Sequence, residues 1–363
     1  MPNTYIIAEA GVNHNGSLVI AKKLIDAAKE AGADAVKFQT FKTEKTISKK
    51  APKAEYQKSL TGDTESQFDM VKKLELDEKS HYELVDYAQK KGIKFLSTAF
   101  DVESVDLLIK LGIDVLKIPS GEVTNALLMH KIASKGLPII ISTGMCTLGD
   151  IEQALGVVAF GYLKMEHPAI ENFRTAYFSK EGQKILKEKV TLLHCTTEYP
   201  APLDEVNLNA MLTLKNAFDL PVGYSDHTNG INVSIGAAAL GAVLIEKHFT
   251  LDKDMPGPDH QASLEPDELK AMVIGIREVE KALGTSQKLV SASERKNLDI
   301  ARKSLTANND IQQGDIFTED NIIIMRPGSG ISPMHYWELI GKKATKSYQK
   351  DDMIGFSEIY QGN

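Results

Sequence analysis

Eight short apolar runs, each ending in polar residues, recur along the first three-quarters of the chain, and helix-like segments separate most of them. YIIAE ends at Glu9, AVKFQ carries Lys37 and Gln39, KFLSTAFD carries Ser97, Thr98 and Asp101, and VLKIPSGE carries Lys117, Ser120 and Glu122. PIIISTG follows with Ser142 and Thr143, VTLLHCTTEY with Thr197 and Tyr199, VGYSDH with Asp226 and His227, and VLIEKHF with Lys247 and His248. Strands that are apolar throughout suit a parallel sheet covered on both faces. Eight successive βα units predict an α/β fold closed into a TIM (β/α)8 barrel, whose active site gathers at the carboxyl ends of the strands.

At 363 residues the chain is longer than such a barrel needs, since about 250 residues is typical. The surplus lies at the end. After Gly284 the polar stretch SASERKNLDIARKS gives way to short apolar runs punctuated by Gly, Asn and Asp. We therefore expect a barrel over residues 1–284, a linker over 285–303 and a small domain of short strands and turns over 304–363. A domain of that size has a small core and is expected to lean on the barrel of its own or another subunit. Two barrel segments exceed what the topology requires. Thr40 to Leu76 is expected to be a functional loop with a short helix over the barrel mouth, and Phe160 to Lys189 an elaborated helix after strand five.

The formal charge of −7 comes with no basic stripe, which argues against nucleic acid as a partner. No apolar segment approaches the roughly 20 residues of a membrane span, and MPNTYIIAEAG lacks the basic and apolar regions of a signal peptide. A cytoplasmic protein is expected. The two cysteines, Cys146 and Cys195, are too few and too far apart for a disulfide framework or a CxxC site. Cys195 reads as a buried, reduced strand cysteine before it reads as a nucleophile.

The polar strand ends suggest two chemistries. His227 and His248, on adjacent strands, would leave a divalent cation with open positions for water and substrate oxygen, as in a catalytic metal site. Glu122 and Asp259 would back them. Lys37 and Lys117, with Thr98, Ser120, Ser142 and Ser225, offer cations and hydroxyls around one rim, a match to a phosphate or phosphate ester. An unpaired ammonium inside a buried barrel is costly, so an anionic ligand is the economical partner. Lys117 equally suits a Schiff-base lysine of an aldolase. Spacing does not separate the two.

The motifs AEAGVNHNG, ADAVKFQTFK, KAEYQK with TESQ, FLSTAFD, KIPSGE, ISTGM, HCTTEYPAP, GYSDHT, IEKHFTLDK, GPDHQASLEPDEL and RPGSGISP, in this order, resemble those of the N-acetylneuraminate (sialic acid) synthase family. The resemblance spans essentially the whole chain, and it implies a barrel followed by an antifreeze-like (SAF) domain. It also implies that phosphoenolpyruvate condenses with the open-chain form of an N-acetylated amino sugar, N-acetylmannosamine in the first instance, with a divalent metal, Mn2+ or else Mg2+ or Co2+. By motif, His227 and His248 match the metal ligands and Glu122 the acid that manages the proton of the attacking water. Lys37, Thr98, Lys117, Ser120, Ser142, Thr197 and Ser225 match the phosphoenolpyruvate site. Glu9, Gln39, Tyr199 and Asp259 fall near the sugar and the reacting carbons. Arg326 matches an arginine that the SAF domain sends into the partner subunit's site, so a domain-swapped homodimer is implied.

Departures from the family pattern are Ala99 in place of a common proline, GSG in place of GNG near Arg326, and Thr197 where some relatives carry asparagine. A legionaminic or pseudaminic acid synthase, using a diacetamido-trideoxy hexose, is the nearest alternative. A lysine-dependent aldolase and a non-enzymatic sugar- or ice-binding protein on a degenerate barrel are the alternatives of other classes.

Overall fold

A computed structural model describes residues 3–53, 58 and 65–360. They form two compact units, Met1–Gly284 and Thr285–Asn363. Among the described residues no helix is long and apolar enough to cross a membrane.

The first unit is a closed, all-parallel barrel in sequence order. Its strands are β1 (Tyr5–Gly11), β2 (Ala35–Thr40), β3 (Lys94–Ala99), β4 (Leu116–Ile118), β5 (Ile139–Ser142), β6 (Val190–His194), β7 (Val222–Asp226) and β8 (Leu244–His248). The seam closes where β1 pairs with β8, with Tyr5 opposite Leu244 and Glu9 opposite His248. The helices between strands form for local reasons. In Leu18–Ala31 the Ser17 side chain caps the first turn, Leu24, Ile25 and Ala28 are buried, and Gly32, at φ 84°, ends the helix by donating to carbonyls of the last turn.

Side chains alternate across each strand, and the barrel uses this to stack two kinds of layer. Ile7, Ala35, Leu96, Ile140, Leu193 and Leu244 pack together in a cluster of their own, the apolar filling of the barrel. Their strand neighbours Ile6, Ala8, Val36, Phe95, Ile139, Ile141, Leu192 and Ile245 join the larger core that includes the helices. Two residues beyond the filling, on the same inner face, stand Glu9, Lys37, Thr98, Ser142, Cys195 and Glu246. Gly223 completes the apolar layer on β7. A Cβ there would meet Leu244 O at 2.3 Å, so only glycine lets the strands close at that point.

The longer connections differ in detail from expectation. Thr40 to Leu76 carries two short described helices, Thr43–Thr46 and Gln67–Lys72. Most of the KAEYQK motif and the first residue of TESQ lie outside the described residues. After β5 the chain makes a helix Leu148–Tyr162 that runs past Phe160, then two more, Ile170–Phe178 and Lys180–Lys189. The expected single elaborated helix is thus a three-helix connection. Its first two helices pack closely because Gly156 faces Phe173 O and the Phe160 and Phe173 rings meet edge to face.

In the second unit β9 (Ser304–Ala307) and β10 (Ile322–Met325) pair antiparallel. The unit has a separate core that includes Leu305, Ile311, Phe317, Ile322, Ile331, Leu339 and Tyr348. Buried Glu358 ties its end down, accepting from Thr345 N, Thr345 Oγ1 and Tyr348 Oη. The stretch expected as a plain linker contains two short helices, Ala292–Arg295 and Leu298–Ala301.

Candidate active site

A cavity of about 350 Å³ opens at the carboxyl ends of the barrel strands, and all the site residues expected from the barrel line it. These are Glu9, Lys37, Gln39, Thr98, Lys117, Ser120, Glu122, Ser142, Thr197, Tyr199, Ser225, His227, His248 and Asp259.

At its floor the two lysines are buried but not unpaired, which corrects the inference that only an anionic ligand would neutralise them. Lys37 Nζ lies 2.7 Å from Glu9 Oε2 and 3.5 Å from Glu246 Oε2, and it donates to Thr98 Oγ1 at 3.0 Å. Lys117 Nζ lies 3.4 Å from Glu246 Oε1 and donates to Ser142 Oγ. Ser225 Oγ donates to Glu246 Oε1 at 3.0 Å. Glu246 therefore touches both lysines, and a reading of the run VLIEKHF for Lys247 and His248 passes over it. The signal was present: on a strand with His248 facing inward, Glu246, two residues earlier, faces inward too.

Burial and pairing pull these groups in opposite directions. Burial raises Glu9 to about 7 against the pull of Lys37. Burial would also raise Glu246, but Lys117 and Lys37 outweigh it and hold the carboxyl at about 2. Burial lowers Lys117, whereas in Lys37 the attraction of Glu246 and Glu9 overcomes burial and raises it. The floor is a charge-balanced cluster in which Glu9 is the group closest to taking up a proton at neutral pH.

Above the floor the two histidines face each other with ring centroids 5.6 Å apart. His227 Nδ1 lies 2.6 Å from Thr196 O. A carbonyl only accepts, so the proton sits on Nδ1 and the lone pair on Nε2. That Nε2 lies 3.3 Å from Tyr199 Oη, whose ring packs on the imidazole at 4.2 Å between centroids. Burial lowers His227 to about 4 and, with His227 beside it, lowers His248 well below the ordinary histidine range. His248 Nδ1 is buried with no hydrogen-bond partner.

Neutral imidazoles with an available lone pair and an orphaned ring nitrogen suit a divalent cation. Among the described residues no group of three or more His, Cys, Asp or Glu converges at metal-binding distance. The residues fit an open site with two protein ligands, and Glu122 and Asp259 do not join the histidines in a closed cage. Glu122 is half-buried at the cavity edge in the turn Ser120–Glu122, where Asn125 Nδ2 donates to it at 2.7 Å. Burial raises Asp259 to about 6.

Ser120 Oγ accepts from Gly144 N at 2.9 Å and lies 3.2 Å from Cys195 Sγ. Burial pushes the Cys195 thiol up, the opposite of an activated nucleophile. Thr197 Oγ1 is buried without a partner, packed so closely on Gly144 that a Cβ there would sit 2.2 Å away.

Other polar residues of the strand ends are structural. Lys247 and Asp226 are fully buried and paired at 3.1 Å, and Asp226 accepts from Ser234 Oγ on the surrounding helix Asn232–Ala239. Both are one residue out of phase with the inner face. Ser97 bonds Thr40, Thr143 bonds Leu193 O, and Asp101 caps the helix Val102–Lys110. Arg326 belongs to the second unit, where its Nε donates to Ala301 O at 3.0 Å.

Fold and site together define a TIM-barrel protein with a polar, charge-paired pocket in the position where barrel enzymes do their chemistry. Residues 24–288 match the NeuB family and residues 302–359 the SAF domain, and the chain belongs to the NeuB family. It is 55% identical to N,N'-diacetyllegionaminic acid synthase of Campylobacter jejuni, over 98% of this chain and 99% of that protein. It is 47% identical to the N,N'-diacetyllegionaminic acid synthase of Legionella pneumophila, over 93% and 90% respectively. The N-acetylneuraminate-9-phosphate synthase of Homo sapiens is 35% identical, over 96% of this chain and 91% of that protein. Among solved structures, an N-acetylneuraminic acid (sialic acid) synthetase from Leptospira borgpetersenii in complex with citrate is similar with a TM-score of 0.65 and 33% identity. That match covers 81% of this chain and 90% of the other.

Proposed function

We propose that the protein is an N,N'-diacetyllegionaminic acid synthase, condensing phosphoenolpyruvate with an open-chain diacetamido-trideoxy hexose to give a nine-carbon 2-keto acid and phosphate. The observation that carries the choice of sugar is the 55% and 47% identity to proteins of that name, against 35% to one named for N-acetylneuraminate 9-phosphate. It displaces N-acetylmannosamine, the acceptor first expected from the motifs.

The pocket supports the chemistry. Lys37, Lys117 and the hydroxyls of Thr98, Ser120, Ser142 and Ser225 line one cavity and suit the phosphate and carboxylate of phosphoenolpyruvate. Thr197 Oγ1, buried without a partner, adds a hydroxyl to that set. A divalent cation, Mn2+ or alternatively Mg2+ or Co2+, held by His227 and His248 would polarise the acceptor aldehyde. In this reading Glu9, Gln39, Tyr199 and Asp259 orient the acceptor so that C3 of phosphoenolpyruvate attacks its aldehyde carbon. Water then adds at C2, Glu122 takes its proton, and the tetrahedral intermediate releases phosphate by C–O cleavage. Lys37 and Lys117 stabilise the charge on the departing phosphate.

The test is phosphate release from phosphoenolpyruvate with separate acceptors, before and after EDTA and with Mn2+ returned. Faster release with the diacetamido-trideoxy hexose of legionaminic acid than with its pseudaminic isomer or N-acetylmannosamine is expected. A clear preference for either of the latter reassigns the sugar. Borohydride that traps a pyruvoyl adduct on Lys117 would point to an aldolase instead.

A further inference from the structure

The cavity has two unlike sides. Its strand-end side is polar, as described above. The other is built by the segments that follow β1, β2 and β3, where Val12, Phe41, Val71, Leu74 and Phe100 all line the space. These five form a separate apolar cluster, with Val12, Phe41 and Leu74 buried and Val71 and Phe100 packed against them. The Phe41 and Phe100 rings meet edge to face at 6.3 Å between centroids. A hydroxyl on that side, Thr46 Oγ1, also lines the cavity, but it donates to Lys42 O at 3.2 Å and is already engaged.

Resting on the synthase reading above, we infer that this wall selects the acceptor by its far end, taking the methyl group of a 6-deoxy carbon and the methyl of an acetamido group. The geometry follows from the strands. Lys37, Gln39 and Phe41 succeed one another at two-residue steps, each rising about 6.6 Å along the strand direction. Phosphoenolpyruvate on the lysines and an aldehyde at the histidines leave the remaining carbons of the acceptor to extend toward Phe41 and its neighbours. An ordinary hexose carries a hydroxyl on its last carbon. Against Phe41, Val71 and Phe100 that hydroxyl loses water and gains no partner from these side chains, whereas a methyl group loses nothing. Discrimination of this kind, between apolar surface and one oxygen, amounts to about 10- to 100-fold in kcat/KM.

The experiment compares two acceptors that differ by that one oxygen, N-acetylmannosamine and its 6-deoxy analogue, by phosphate release from phosphoenolpyruvate. The native protein is expected to prefer the deoxy sugar about 10- to 100-fold. Val71→Thr keeps the side-chain shape and Phe100→Tyr keeps the ring, yet each puts a hydroxyl on the wall. Each is expected to bring the ratio toward parity while the KM for phosphoenolpyruvate and the thermal midpoint stay unchanged. A native preference that survives in both variants overturns the wall and leaves the synthase reading intact. Equal use of the two sugars by the native protein also overturns the wall, because the diacetamido acceptor reports on the synthase reading separately. No phosphate release with any of the three acceptors overturns both.

Discussion

Glu246 joins the two buried ammonium groups, and removing it takes from Lys117 the carboxylate it pairs with and leaves Lys37 with Glu9 alone. Glu246→Ala is expected to destabilise the barrel by about 3–5 kcal/mol, the usual cost of breaking a buried ion pair by deleting one partner. Glu246→Gln should cost less. In either variant an anion that reaches Lys37 and Lys117 replaces part of the lost charge. Thermal unfolding with and without phosphoenolpyruvate checks this: the ligand should raise the midpoint more in Glu246→Gln than in the native protein. Equal midpoints without ligand would show that the pairing contributes nothing. His248 presents the converse case. Its Nδ1 has no protein partner, so His248→Ala should leave the circular dichroism spectrum unchanged while Mn2+ content, measured on the dialysed protein, falls to background. Retained metal would rule out the ligand role. At this scale the sequence is readable wherever alternation is applied strictly. Lys37, Lys117, Ser142 and Ser225 fall on the inner face by counting in twos, and so does Glu246. The same count sends Lys247 and Asp226 outward, although their chemistry looks equally catalytic. What sequence does not contain is which cation meets which carboxylate across the barrel, because those pairs join strands far apart along the chain.

Among the elements, Glu75 ties together both ends of the segment after β2. Glu75 accepts from Thr43 N at 3.1 Å and Thr43 Oγ1 at 3.0 Å, and it pairs with Lys72 at 2.9 Å and Lys42 at 3.3 Å. Burial pushes its carboxyl up, but the bonds from Lys72, Thr43 and Lys42 outweigh burial and hold it at about 2. The folded value lies below the unfolded one, about 4.3. Its contribution is therefore complete above the unfolded value and is lost as pH falls from there toward 2. Hydrogen exchange of the amides in 43–53 and 67–75, corrected for intrinsic rate, should accelerate as pH falls from 6 to 3. Glu75→Gln should exchange fast already at pH 6 and show little further change. A pH-independent native profile would remove Glu75 from this role. Helix ends such as Ser17 and Gly32 are legible because caps are local. The connection after β5 is not, since its second helix begins at Ala169 without a side-chain cap and leaves Ile170 and Phe178 exposed. Neither a start signal nor a clean amphipathic stripe marks it.

For the whole molecule, the two units carry separate cores, and the chain's change of composition after Gly284 announces that division. The role of Arg326 is a matter of assembly, and the family resemblance assigns it to the partner's pocket in a homodimer. Arg326→Ala and His227→Ala should each be inactive as pure dimers. Co-expressed, a crossed arrangement makes one site with both defects and one with neither, so verified mixed dimers should regain about half the native activity per dimer. No recovery would place Arg326 on its own barrel.

The pairing of Glu9 with His248 across the seam has a consequence for how the protein is made. The first strand leaves the ribosome long before the last, since chains grow at about 5–20 residues per second. Until β8 arrives, β1 has no neighbour on one side, Lys37 has only one of its two carboxylates, and His227 stands alone. A translation product that stops before residue 248 lacks the end of the closing strand and, on the reading proposed above, one of the two residues that would hold the cation, however well its earlier βα units fold. Closing the barrel and bringing His248 beside His227 and Glu246 beside the two lysines are therefore a single event.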